Sequence, residues 1–324
     1  MAVSTAGSPS ASSSRSSASS GGRRNPLRTG VAPHVLGTGG GSRVLRPGWH
    51  VLRTGAWLGW QIGSNWTDPF LFAVYSIFRP VAQGLILVFM YLVISRDALS
   101  SPMFAHVYLG NAFFAFVGQV MMGVSWCILE DREFFRTFRY IYILPGRLPW
   151  YITGRAAAGA AIGTLSVVIL LVFGRLFLGL PLPLAQINWP YFLPVLLLGV
   201  VTCAALGMAL AGVYLISARH GGAYSEAVAG LFYVLAGVVY PVDILPGWVQ
   251  PLSRALPLTW WMEGLRRACL GHGMAASLAW ASDGMILAIL LGTAVLLVLV
   301  CLAILVGCER VARQRGLLEA TTFH

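Results

Sequence analysis

No lysine occurs anywhere in the 324 residues, and all 22 basic side chains are arginine. A Walker A phosphate loop, a Schiff-base lysine and a lysine general base are therefore excluded for this chain. Charge of either sign is scarce. Only 10% of residues are charged and 57% are hydrophobic, whereas an ordinary soluble domain carries about 25% charged residues. The mean hydropathy of +0.75 belongs to a chain that crosses a membrane several times. The five cysteines, Cys127, Cys203, Cys269, Cys301 and Cys308, form no CxxC pair. They indicate neither a thiolate metal site nor a disulfide framework. His106, His220 and His272 are scattered without ligand spacing, so no metal is expected. No acidic residue lies deep in an apolar run. A membrane-embedded enzyme such as a lipid-modifying transferase would lack its catalytic cluster, and a membrane scaffold without transport is the other rival reading.

What is present is organised by apolar runs and arginines. Residues 1–45 are Ser, Gly, Ala and Arg with almost no large apolar side chain. They cannot bury enough surface to offset the entropy of ordering and read as a disordered cytoplasmic tail. No apolar h-region follows Arg23-Arg24, so a twin-arginine export signal is rejected, and no cleavable signal peptide is visible. Residues 46–68 contain GWHVLRTGAWLGWQIGSNW, with Trp49, Trp57, Trp60 and Trp66 among polar residues. Too polar to span, this stretch reads as an amphipathic helix in the headgroup region. Residues 69–310 form an all-α polytopic membrane domain. Its six runs of spanning length are 69–94, 104–128, 153–178, 191–216, 223–241 and 282–307. The short connection SARHGG at 217–222 makes the fourth and fifth an antiparallel hairpin, and 311–324 is a cytoplasmic C-tail. With both termini inside, 16 arginines are cytoplasmic and five are outside, leaving Arg79 within a span. That bias sets the orientation N-in, C-in.

Three stretches could carry mechanism. The connection EDREFFRTFRYIYILPGRLPWYITGR, 130–155, begins with three carboxylates. On a helix, Phe134, Phe135, Phe138, Ile141 and Tyr142 share one side, while Arg132, Arg136 and Arg139 recur on another. Such a helix could dock in a partner's groove or rest on anionic lipid. In the first span, Arg79-Pro80 is either a functional charge or a snorkelling arginine beside a kink. Gln83, Asn111, Gln119 and Ser125 either bond neighbouring helices or line a path. Glu226 reads as solvated at the interface. The third stretch is YPVDILPGWVQPLSRALPLTWW, 240–261, whose four prolines forbid one continuous helix but permit two short ones. Its charges place it outside and its tryptophans hold it at the interface. It is either a lid over a path or an ordinary amphipathic loop.

Three features, in order over roughly residues 50–310, resemble the integral-membrane permease of ABC-2 type transporters, the type V exporter architecture. They are the tryptophan-rich helix before the first span, the sequence ILEDREFFRTFRYIYILPGRLPWYITGR after the second, and LAGVVYPVDILPGWVQPLSRALPLTWWMEGLRR after the fifth. The resemblance implies six transmembrane helices, an interfacial N-terminal helix and two short extracellular helices before the last span. It also implies pairing with a second permease copy, either the same chain or a homologue, and two copies of a separate ABC ATPase that bind ATP and Mg. Glu130, Asp131, Arg132, Glu133, Phe134, Phe135, Arg136, Phe138, Arg139 and Tyr142 would couple to that ATPase. Tyr240, Pro241, Leu245, Pro246, Trp248, Pro257, Trp261, Glu263 and Arg266 would form the extracellular gate. Arg79, Gln83, Asn111 and Gln119 are candidates for a substrate path. Implied too are a bacterial cytoplasmic membrane, no cofactor on this chain and no nucleic-acid partner. The cargo would be a lipophilic or amphipathic small molecule, such as a drug or natural product, with a lipid-linked glycan as the alternative. Tyr140-Ile141-Tyr142 departs from the family in bulk.

Overall fold

The computed structural model describes residues 46–64, 69–94, 102–134, 148–180, 187–217 and 223–315. Ten α-helices appear among them: α1 (Arg46–Ser64), α2 (Pro69–Ile94), α3 (Pro102–Phe116), α4 (Gly123–Leu129), α5 (Leu148–Phe177), α6 (Trp189–Ile216), α7 (Ala223–Leu235), α8 (Gln250–Ala255), α9 (Pro257–Leu270) and α10 (Asp283–Gln314). No strand occurs among the described residues. In hydrocarbon a helix satisfies its own backbone polar groups, so long apolar runs leave little other choice. The expected tails at 1–45 and beyond Arg315 lie outside the described residues, as do Phe135, Arg136, Phe138, Arg139 and Tyr142.

Among the described residues, five segments are long and apolar enough to cross a membrane: one within α2, one through α3 and α4, and α5, α6 and α10. The second is the most internal, with 61% of its window buried against 22% for α2 and α10. Phe104, Tyr108, Phe113, Phe116, Val120, Met121 and Ile128 put that span at the centre of the bundle. It runs antiparallel to α5. Tyr108 donates to the Leu170 carbonyl near one end, and Arg155 reaches Glu130 near the other. Helices α6 and α10 run side by side, with Gly212 against Leu305 and Cys308. The bundle thus has a proline-rich end, holding residues 236–282, and an arginine-rich end, holding residues 130–134, the start of α5 and the end of α10.

The boundaries differ from the hydropathy reading in ways that matter. The second span starts at Pro102 and continues past residue 128 to Phe134, interrupted by π-helical turns at Val117–Met122 and Glu130–Phe134. The third begins at Leu148 rather than 153, because Pro149 fits in a first helical turn. The last runs to Gln314, beyond 307.

The fifth run, read as a span over 223–241, is a helix only to Leu235. Its 13 residues rise about 20 Å, short of the roughly 30 Å of hydrocarbon. The chain turns at Gly237, whose φ of +65° suits a residue without Cβ. Apolarity continues through Tyr240, which is why counting residues missed the break. The freed carbonyls are taken up elsewhere. Tyr240 donates to Val234, Ser253 to Leu235, and Arg266 to both Gly237 and Val238.

Helix α1 covers Arg46–Ser64 of the stretch read as amphipathic, with Trp49, Trp57 and Trp60 facing outward and Trp66 outside the described residues. Its other face carries Gly55, Gly59 and Gly63, spaced four apart as in close-packed membrane helix pairs. A Cβ added at these positions would meet the Tyr151 carbonyl at 2.6 Å, Ala158 at 2.9 Å and Ile162 at 2.5 Å. The contacts advance together along both helices, so α1 lies lengthwise beside the first half of α5. The headgroup reading accounts for the tryptophan face and not for this one.

Candidate functional site

Two clusters of buried polar side chains hold the bundle, one at each end. At the arginine-rich end, the π-helical turn Glu130–Phe134 carries the α4 helix onward. π-turns recur at functional sites because they re-aim side chains. The Arg155 Nη2 donates to Glu130 Oε2 at 2.6 Å, and Tyr151 Oη donates to Asp131 Oδ2 at 2.7 Å. Arg132 Nη1 donates to the Tyr214 carbonyl at 3.3 Å. Asp131, Arg132 and Arg155 are buried, so these bonds form in a low dielectric where a lost partner is costly. Tyr214 donates to Ser225, which also accepts from Trp126 Nε1. The end of the second span is thereby fastened to α5, α6 and the start of α7. Arg155 also lies under α1, where a methyl on Gly59 would sit 3.2 Å from its Cδ.

Among the coupling candidates whose side chains are described, Glu130, Asp131 and Arg132 do not present one face. Asp131 and Arg132 turn into the bundle, and Glu130 is partly exposed while bound to Arg155. Glu133 and Phe134 lie in the π-turn, with side chains outside the described residues.

At the proline-rich end, α9 is buried nearly all round, from Leu258 through Arg266. It begins at Pro257 and ends at Gly271, which adopts the left-handed conformation at φ +80°. Trp261 packs on Phe116 with ring centroids 6.3 Å apart and on Gly199 of α6, where no side chain would fit. Arg266 is the keystone. Its Nε donates to the His106 carbonyl at 3.2 Å, and its Nη2 to Gly237 and Val238 at 2.9 and 2.7 Å. One guanidinium thus ties α3, the break after α7, and α9. Glu263 accepts from Arg267 and from the Met274 amide, and Arg267 reaches the Ala281 and Leu278 carbonyls. Asp243 lies on the exposed side of this end. Burial opposes its charge, but hydrogen bonds from Ser277 and Ala276 and the nearby Arg254 outweigh that and hold its carboxyl below the ordinary range. Its contribution to stability is present above the unfolded-state pKa and is lost as pH falls through the folded one.

The gate residues separate into two layers. Trp261, Glu263 and Arg266 lie inside the bundle, and Pro257 starts their helix. Pro246 and Trp248 are exposed, Trp248 at 83%, while Tyr240, Pro241 and Leu245 form the half-buried turn between. The four path candidates do not gather. Arg79 and Gln83 face away from the bundle on α2, whereas Pro80 and Gly84 face in. Asn111 accepts from Tyr233 of α7 at 3.4 Å, and the Gln119 backbone packs on Gly159 of α5. The π-turn at Val117–Met122, which contains Gln119, departs from the 3.6-residue period within this span.

Sequence reading missed Tyr151, Tyr214 and Ser225 as members of these clusters. In the sequence Arg155 reads only as a positive charge. Also missed was a bond between His106 and His272, 166 residues apart, for which no local signal exists. Among the described residues no group of three or more His, Cys, Asp or Glu is placed to hold a metal. Residues 54–270 match the family model described as "ABC-2 type transporter", more than half of the chain, beginning within α1 and ending on the last residue of α9. No curated protein matches the chain.

Proposed function

The chain belongs to the ABC-2 type transporter family, and from that premise we propose that it is the permease subunit of an exporter of lipophilic or amphipathic small molecules, driven by a separate ATPase. The observation that carries the reading is the cluster at the end of the second span. Glu130, Asp131 and Arg132 clamp the segment leading into 135–147 to α5 and α6. A push on that segment would move three helices together rather than flex a loop. The arginine bias puts this end in the cytoplasm, where the partner would bind ATP and Mg. The proline-rich end then faces outward, and α9 plugs the bundle there as the gate. A second permease copy would complete the path, in the cytoplasmic membrane of a bacterium.

The test uses the tagged chain, purified in mild detergent from the cells that make it. An ATPase should co-purify, hydrolyse MgATP, and respond to lipophilic compounds after reconstitution in vesicles. Arg136→Glu with Arg139→Glu should release or uncouple it while the permease stays inserted. A chain that purifies without ATP hydrolysis, or a complex indifferent to that double substitution, would refute the coupling assignment.

A further inference from the structure

His106 stands in the second turn of α3 and is buried, 4% exposed. His272 is exposed on the loop that leaves α9 after the Gly271 cap. His106 Nε2 and His272 Nδ1 are 3.0 Å apart, with ring centroids separated by 4.7 Å. No other side-chain bond of His272 is needed to explain its place. The pair closes the loop after α9 onto the start of the second span.

Several charged and titratable groups surround it. From α9, Arg266 donates to the carbonyl of His106 itself. Glu263, also of α9, is engaged with Arg267 and with the Met274 amide, two residues beyond His272. Arg267 further contacts Asp283 at the start of α10 at 3.6 Å. Tyr108, two residues along α3, gives its proton to the Leu170 carbonyl of α5. Tyr91 of α2 packs on Phe104. The charge beside the two imidazoles is thus the positive charge of Arg266.

A bond between two imidazole nitrogens needs one N–H and one lone pair. Two neutral rings supply them. So does one imidazolium, if the extra proton sits on the exposed nitrogen of His272 and His106 keeps its lone pair. Two imidazolium rings present only donors, so the bond cannot exist. They would also place two positive charges beside Arg266.

We propose that the His106–His272 bond is an acid-sensitive clasp that holds the loop after α9 against the second span near neutral pH and releases it when both rings are protonated. Gly271 is the pivot, since its left-handed backbone lets the loop swing without unwinding α9. The α9 helix itself stays anchored by Arg266 to the Gly237 and Val238 carbonyls. Acid therefore frees the loop before it frees the plug. The clasp does not depend on what the permease carries or on which ATPase drives it.

The test is hydrogen–deuterium exchange of the full chain in lipid nanodiscs at pH 7.5 and 3.5, corrected for intrinsic rates. Amides of 272–278 should exchange about fivefold faster at the acid pH, the effect of one ordinary hydrogen bond lost. Amides of α10 should keep their protection. His272→Gln retains a donor and an acceptor but cannot titrate, and in this variant the acid acceleration should vanish. Being exposed, His272 tolerates that change, whereas His106→Gln supplies the second reading only if the variant still inserts. Equal exchange at the two pH values, acceleration shared with α10, or acid sensitivity surviving in His272→Gln would each overturn the clasp. An inactive transporter with an intact pH response would fault only the transport reading.

Discussion

Substituting Gly199 by alanine tests whether α9 is truly wedged into the bundle. A methyl there would overlap Trp261 at Nε1, Cε2 and Cδ1, all on the pyrrole side of the indole. The ring cannot retreat, because Trp261 is fully buried and Phe116 stands on it. Overpacking of this kind costs about 1–3 kcal/mol. Alanine gains up to about 1 kcal/mol over glycine from helix propensity. Gly199→Ala should therefore lose up to about 2 kcal/mol net, about 1–3 kcal/mol relative to an unhindered Gly→Ala change, and more if α9 is forced out. Gly292 of α10 is the control, since nothing lies within 4 Å of its Cβ position. Gly292→Ala should be neutral or stabilising. Trp261→Phe removes the overlapping ring, and among the described residues the indole N–H has no hydrogen-bond partner to lose. The double variant should recover stability, with a coupling of at least about 1 kcal/mol. Unfolding followed by circular dichroism in mixed micelles measures all four proteins. If Gly199→Ala matches Gly292→Ala within about 0.5 kcal/mol, or shows no coupling to Trp261→Phe, α9 does not occupy the place described.

At the opposite end, Arg155→Met should destabilise the chain by about 3 kcal/mol, the low end for breaking a buried pair, because Glu130 is partly exposed. Glu130→Gln keeps an acceptor and should cost less. The same unfolding assay reads both, and equal small losses would demote the cluster to a surface contact. Orientation can be checked with a cysteine at Leu252, half-exposed in α8. It should react with an impermeant maleimide in intact cells. Reaction only after lysis would invert the assignment of the two ends.

Much of this architecture was legible because the bilayer imposes it. Hydropathy located the helices, since an apolar run of about 20 residues in hydrocarbon satisfies its backbone only as a helix. The prolines at 241, 246, 251 and 257 announced the short helices α8 and α9 for the same local reason. The break at Gly237 was not legible. A turn at that depth is tolerable only if distant donors reach its carbonyls, and Arg266 and Ser253 bond to carbonyls 29 and 18 residues away. The π-turn at Val117–Met122 was not legible either, because it changes the helical period without a marker in composition.

Composition and order by themselves determined that this is an all-helical membrane chain without a nucleotide loop, with its arginines gathered toward one end and a proline-broken segment at the other. Those properties arise from single residues and their neighbours along the chain. Tertiary structure alone decided which charges are buried. It turned Asp131 and Arg132 inward, seated Arg266 on three carbonyls, set α1 against α5 through three glycines, and joined His106 to His272. Each is a contact between segments far apart in sequence, and its stability depends on partners that no local pattern encodes.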